Sequence, residues 1–335
     1  MSKPVLEVNH LHTYFFTDRG EVPAVDDVSF YVNRGEVLGI VGESGCGKSV
    51  TSLSVMGLVP DPPGKIVDGE IIFRDQKGQT EVNLVGLPIK KMRQIRGNKI
   101  AMIFQEPMTS LDPLFTIGHQ ISEALFNHMK ISKKQARIKS VEMLELVGIP
   151  RANEIVDEYP HQLSGGMRQR VMIAIAMSCN PEVLIADEPT TALDVTIQAQ
   201  ILEIMKSLNA EQGTAIMLIT HDLGVVAEMC DRVCVMYAGK VVEEGDVRTI
   251  LKSPKHPYTQ GLIKSLPKID GREERLYSIP GNVPKPGSIR IGCRFADRCP
   301  DVFKRCRQED PELIQLAEGH TCRCFLHEKE EVTHV

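Results

Sequence analysis

Polar and apolar positions alternate over the first 35 residues as in half-buried strands. Val5, Glu7 and Asn9 oppose Leu6 and Val8, and Tyr14-Phe15-Phe16 follow. Asp18-Arg19-Gly20 reads as a hairpin turn and Ala24 to Val32 as a second strand. Asn33-Arg34-Gly35-Glu36 then turns into an apolar strand, Val37 to Val41. After a glycine loop, Val50 to about Gly57 reads as helix, stopped by Pro60-Asp61-Pro62-Pro63-Gly64. Gly69 to Phe73 is a further strand, residues 74–98 are polar and turn-rich, and Ile100 to Phe104 is a buried strand ending at Gln105-Glu106-Pro107. The texture changes over residues 108–162. Ile117 to Met129 has helical spacing, and Lys133 to Val147 is an amphipathic helix with Ala136, Val141, Leu144 and Val147 inward. Val183 to Ala186 and Ala215 to Ile219 are apolar without alternation, which suits parallel strands buried on both faces. Thr196 to Asn209 is helical between them, and Val233–Tyr237 with Lys240–Glu244 forms a closing hairpin. Proline and glycine become dense after about residue 250, where a domain boundary is expected. The pattern is α/β, with antiparallel strands feeding a mixed sheet and a helical insertion between its strands.

Composition narrows the classes. The 335 residues are 42% hydrophobic and 25% charged, ordinary for a globular protein, and the net charge of -5 implies no general affinity for nucleic acid. The longest purely apolar run, Val171 to Met177, is far too short to span a bilayer, and Met1 to Val8 has no signal-peptide core. A cytosolic protein, or one held at a membrane by partners, is expected. Tryptophan is absent and aromatics make up 5%, which argues against stacking platforms for bases or sugars.

The strongest chemical signal is Gly42-Glu43-Ser44-Gly45-Cys46-Gly47-Lys48-Ser49, set between the strand and the helix. This is a phosphate-binding loop in its required context. Glycines let backbone N–H groups turn inward around an anion, Lys48 supplies charge for the β- and γ-phosphates, and Ser49 offers a hydroxyl to Mg²⁺. Cys46 occupies a position that tolerates any small side chain. The second signal is Asp187-Glu188 at the end of an apolar strand. Asp187 is expected to hold Mg²⁺ through its water shell, and Glu188 to polarise the attacking water. The third is Leu163-Ser164-Gly165-Gly166-Met167, where Ser164 can cap a helix whose glycine-rich first turn leaves N–H groups open to an anion.

With this third motif the chain resembles the ATP-binding cassette (ABC) ATPases over roughly residues 5–250. It departs from their LSGGQ signature at Met167. The resemblance implies an ABC-type P-loop domain: a RecA-like mixed sheet with an antiparallel β subdomain and a helical subdomain at about 108–165. It implies that residues 42–49 with Val50 and Asp187 bind ATP, and that Ser49, Gln105 and Asp187 surround Mg²⁺. Gln105 falls in the Q-loop, Ala192-Leu193-Asp194 in the D-loop, and His221 at the switch position. Phe15 is the aromatic expected to stack on adenine, with Tyr14 and Phe16 as alternatives. Ser164 to Met167 would close on the ATP held by a second cassette, so a catalytically active monomer is not expected.

The tail resembles the segment that follows the cassette in ATPase subunits of dipeptide and oligopeptide importers, a subfamily that includes some nickel importers. The resemblance rests on Ser253 to Leu262 with its His256-Pro257-Tyr258, on Pro280-Gly281-Asn282-Val283-Pro284, on Gly292-Cys293-Arg294-Phe295, and on Cys299-Pro300 followed by Cys306. Five of the nine cysteines lie here: Cys293, Cys299, Cys306, Cys322 and Cys324. In a reducing compartment such a cluster points to metal ligation before disulfides, either Zn²⁺ or [4Fe–4S]. Free thiols are the alternative. Arg290, Arg294, Arg298, Lys304, Arg305 and Arg307 are expected to lower the thiol pKa values. The resemblance favours [4Fe–4S] on Cys293, Cys299, Cys306 and Cys324, with Cys322 as the alternative fourth ligand. It also implies a cytoplasmic-face ATPase energising peptide import. The expected partners are a second ATPase subunit (usually a different chain), two integral-membrane permease subunits, and an extracytoplasmic solute-binding protein through the complex. Import of nickel or another small solute is the narrower rival. A soluble ABC protein acting on DNA or ribosomes is a distant one, disfavoured by the single uninterrupted cassette and the absence of sustained heptads.

Overall fold

The computed structural model describes residues 3–76, 81–105, 110–191, 194–266, 277–289 and 291–328. Its strands form two sheets. The first is antiparallel, in the order β2-β1-β4-β5, from β1 (Leu6–Thr17), β2 (Gly20–Val32), β4 (Gly64–Arg74) and β5 (Glu81–Asn83). The second has eight strands in the order β11-β12-β10-β9-β3-β8-β7-β6. Its parallel centre comprises β3 (Val37–Val41), β6 (Ile100–Ile103), β7 (Val183–Asp187), β8 (Ala215–Thr220) and β9 (Arg232–Tyr237). β10 (Lys240–Asp246) returns antiparallel to β9, followed by β12 (His320–Cys322) and β11 (Ile314–Ala317). The tail thus adds two strands to the cassette's own sheet.

The unalternating apolar strands are buried on both faces, as their sequences predict. Ala215, Met217 and Ile219 of β8 pack with Leu38, Ile40, Val183 and Ile185 against the antiparallel sheet. Ile216 and Leu218 pack with Val37, Val41, Leu184 and Ala186 against the helices. Successive residues point to opposite faces, so two cores share one strand. Parallel strands end together, and the loops at their carboxyl ends gather the site.

The helical insertion contains Ile117–His128 and Lys133–Leu146. Ser132 and Gln135 form a reciprocal capping box that starts the second helix. Its buried face is Ala136, Ser140, Met143 and Leu144, with Val147 buried just beyond; Val141 is only half-buried. Ser140 is accommodated because its hydroxyl donates to the Ala136 carbonyl. The polar stretch 74–98, expected to be turns, contains β5 and the helix Ile89–Ile95, which lodges Met92 in the core.

Candidate functional site

Strand β3 delivers the chain into the phosphate-binding loop, and the helix Lys48–Val55 leads it out. Gly42, Gly45 and Gly47 all have φ between 79° and 153°. At Gly47 the left-handed backbone also packs on the Ala24 carbonyl, leaving no space for a Cβ. The Lys48 ammonium donates to the carbonyls of Gly42 (2.7 Å) and Glu43 (3.1 Å), so it lies along the loop. Ser44 is exposed at the outer edge, while Cys46 is buried beneath the loop. Val50, at the first turn of the helix, is half-buried against the core shared by the two sheets.

Ser49 Oγ donates to Asp187 Oδ1 at 3.1 Å, joining the loop to the end of β7. Ser52 Oγ donates to Asp187 Oδ2 at 3.3 Å. Burial pushes the Asp187 carboxyl above its ordinary pKa, while these two hydroxyl bonds oppose the shift. One residue on, Glu188 collects the remaining groups. Gln105 Nε2 donates to it at 3.0 Å and Thr191 Oγ1 at 2.9 Å, and His221 Nδ1 lies 3.3 Å from Oε1. Burial works to raise Glu188, but the bonds from Thr191 and His221 outweigh it and hold the carboxyl below its usual range. Glu188 has φ 48°, a left-handed conformation rare for a residue with a Cβ. Gln105, Glu188 and His221, far apart in sequence, therefore meet. Sequence reasoning missed Thr191 and Ser52, for which the only signal is a hydroxyl one turn or less from an assigned residue.

Ser164 caps the helix Gly165–Met177, its Oγ accepting from Met167 N–H at 3.3 Å. Ser164, Gly165, Gly166, Met167, Arg170, Asp194 and Ile197 line an open cleft. Asp194 caps the helix Val195–Gln212 by accepting from Ile197 N–H at 3.0 Å. Ala192 and Leu193 of the D-loop, Glu106 to Thr109 beyond Gln105, and Arg290 lie outside the described residues. Among the candidate adenine platforms, Phe15 is half-buried beside Gly64, the Tyr14 hydroxyl donates to Asp26 at 3.1 Å, and Phe16 is exposed.

Cys293, Cys299, Cys306 and Cys324 line one small apolar pocket with His256, Phe295 and Phe325. Cys322 does not line it; it sits in β12 opposite Glu243 of β10. Among the described residues, no three His, Cys, Asp or Glu side chains stand ready-arranged to hold a metal ion. At Cys293, Cys299, Cys322 and Cys324 the expected lowering of thiol pKa is reversed. Burial pushes Cys293 up to about 12 and Cys324 up to about 11, and raises Cys299 and Cys322 as well. The neighbouring cations are engaged by carboxylates: Arg294 by Asp26, Arg298 by Glu43, Arg305 by Glu309 and Glu328, and Arg307 by Asp297.

The fold and these motifs define a nucleotide-hydrolysing cassette, and residues 25–191 match the family model described as ABC transporter. The chain belongs to that family and is an ATPase of an ABC-type transporter, which implies membrane permease partners. Residues 242–306 match a second model, the C-terminal region of oligopeptide/dipeptide transporters. Similar proteins include the oligopeptide transport ATP-binding protein AppD of Bacillus subtilis, 55% identical over 97% of this chain and 98% of that one. The dipeptide transport ATP-binding protein DppD of the same organism is 51% identical over 97% of this chain and 95% of its own length. A solved dimer of the ATP-binding cassette MJ0796 bound to ADP and Pi is 27% identical with a TM-score of 0.64, covering 72% of this chain and 99% of that one. No helix among the described residues is long and apolar enough to cross a membrane.

Proposed function

We propose that this chain is the ATP-hydrolysing subunit that energises import of di- and oligopeptides from the cytoplasmic face of the membrane. The carrying observation is the full-length similarity to peptide-transport ATP-binding proteins, tail included. In this reading residues 1–250 are the motor and 251–335 an importer-type extension. Residues 42–50 and Asp187 bind ATP, and Phe15 supports adenine. Ser49, Gln105 and Asp187 would hold Mg²⁺, which would supply charge neutralisation at the transferred phosphoryl group. Glu188 takes hydrogen bonds from Thr191 and Gln105, which orient its carboxylate toward the attacking water. His221, beside the other carboxylate oxygen, is set to follow the γ-phosphate. Ser164 to Met167 and Asp194 act on the ATP of a second cassette; the open cleft they line supports such a contact. Leu114 and Phe115, 78% and 45% exposed beyond the Q-loop, support docking of a permease helix across residues 106–118.

The thiol set of Cys293, Cys299, Cys306 and Cys324 suits a [4Fe–4S] cluster by its chemistry, since the four converge on one pocket. The pocket has room for about one water-sized sphere, so loading requires the four thiols to spread and lose their protons. Zn²⁺ is the alternative occupant.

Uptake of labelled peptide by cells carrying Glu188→Gln tests the importer reading. Uptake is expected to fall to background; unchanged uptake overturns the assignment. Loss of nickel uptake with peptide uptake intact moves the cargo to nickel.

A further inference from the structure

The cassette's phosphate-binding loop is gripped from outside by the tail. Glu43, its second residue, donates its backbone N–H to the Tyr258 hydroxyl at 2.8 Å. The Glu43 carboxylate accepts two parallel bonds from Arg298, at 2.7 and 3.0 Å. Both partners are buried: Tyr258 is 0% exposed and the Arg298 side chain 5%. Each is itself fixed. Arg298 Nε donates to the Pro280 carbonyl at 3.0 Å, and its guanidinium reaches the Tyr237 hydroxyl at 3.2 Å. Tyr258 packs on Tyr237 and Phe295, with ring centroids 4.6 and 5.4 Å away. On the inner side of the loop, Lys48 donates to the carbonyl of this same Glu43.

We propose that Arg298 and Tyr258 are positioning residues for ATP binding, holding the Gly42–Glu43 peptide and the Glu43 carboxylate so that the loop stays open to phosphate. The peptide group that carries the Glu43 N–H also carries the Gly42 carbonyl; tying that N–H to a buried hydroxyl holds the group against a flip, which would turn the Gly42 carbonyl away from Lys48, its donor at 2.7 Å. Separately, a bare carboxylate beside a triphosphate site repels the ligand, and a bidentate guanidinium cancels that charge. Arg298 immediately precedes Cys299, which lines the cysteine pocket, so the grip and the pocket are neighbours in the chain. The proposal rests on reading residues 42–50 as the ATP site.

The test is calorimetric titration of the full-length chain with Mg-ATP, paired with KM and kcat for ATP in the assembled transporter. Arg298→Ala is expected to weaken ATP binding about tenfold or more, and Tyr258→Phe about fivefold. KM is expected to rise by the same factors with kcat within about twofold, as for lost ground-state binding. Arg298→Lys keeps the charge but not the fork, and falls between wild type and Arg298→Ala; it also serves if the alanine variant does not fold. Arg307→Ala, in an exposed pair with Asp297, leaves affinity unchanged. Lys48→Ala separates the two readings. If Lys48→Ala binds ATP normally, the site assignment fails. If Lys48→Ala weakens binding while the Arg298 and Tyr258 variants bind as wild type, or lower kcat alone, the positioning proposal is overturned.

Discussion

At the scale of single residues, the site depends on backbone conformations that residue type only partly announces. Gly47 is legible: a left-handed φ of 101° against the Ala24 carbonyl demands glycine, and the motif spacing supplies it. Gly47→Ala is therefore expected to abolish nucleotide binding and to cost about 1–3 kcal/mol of stability. Titration with a fluorescent ATP analogue and urea unfolding check the two halves. Glu188 is the opposite case. Its φ of 48° is invisible in the sequence, because nothing in Ala186-Asp187-Glu188-Pro189 marks a left-handed residue. Holding a residue with a Cβ there costs about 1–3 kcal/mol, retained because three side chains fix the carboxylate. The thiols show how counting charges misleads. Sequence places cations beside the cysteines, but the fold turns each described arginine of that set toward a carboxylate, leaving burial to decide the pKa.

At the scale of elements, the parallel strands were the easiest to read, since unbroken apolar runs have little alternative to burial on both faces. The stretch 74–98 was not legible: β5 is three residues long, and the helix Ile89–Ile95 buries only Met92, so neither generates a period. His256-Pro257-Tyr258 reads as a turn into a helix and is one. His256 caps the helix Pro257–Lys264 through Nδ1, which accepts from Tyr258 N–H at 3.0 Å. Complete burial, reinforced by nearby His327, pushes His256 down to about 3. Its folded pKa thus lies below its unfolded value of about 6.5. The unfolded chain binds the extra proton, so this stability is fully present above about pH 6.5 and is lost as pH falls toward about 3. The slope is at most about 1.4 kcal/mol per pH unit. His256→Asn keeps a capping acceptor without the titration. Denaturant unfolding at pH 7.5 and 5.5 is expected to show a smaller loss in this variant than in wild type.

At the scale of the whole molecule, sequence located the tail's chemistry but not its attachment. Arg294, Arg298 and Arg323 each adjoin a cysteine, and each pairs with a cassette carboxylate: Asp26, Glu43 and Asp27. These partners lie more than 250 residues away in the chain. No local pattern encodes such a pairing. Iron, sulfide and zinc analysis of protein purified without oxygen addresses the pocket these arginines flank. About four irons and four sulfides per chain are expected, lost on Cys306→Ser; zinc without iron would replace the cluster with a single ion.

The pairing of β12 with β10 also bears on how the chain is made. Glu243 faces Cys322, so β10 is an uncovered edge strand until the chain has grown a further 79 residues (322 minus 243). An open edge is a template for pairing with another chain. The nascent cassette, complete in its nucleotide motifs, is therefore exposed to strand exchange with its neighbours on a polysome until its own tail arrives to close the sheet.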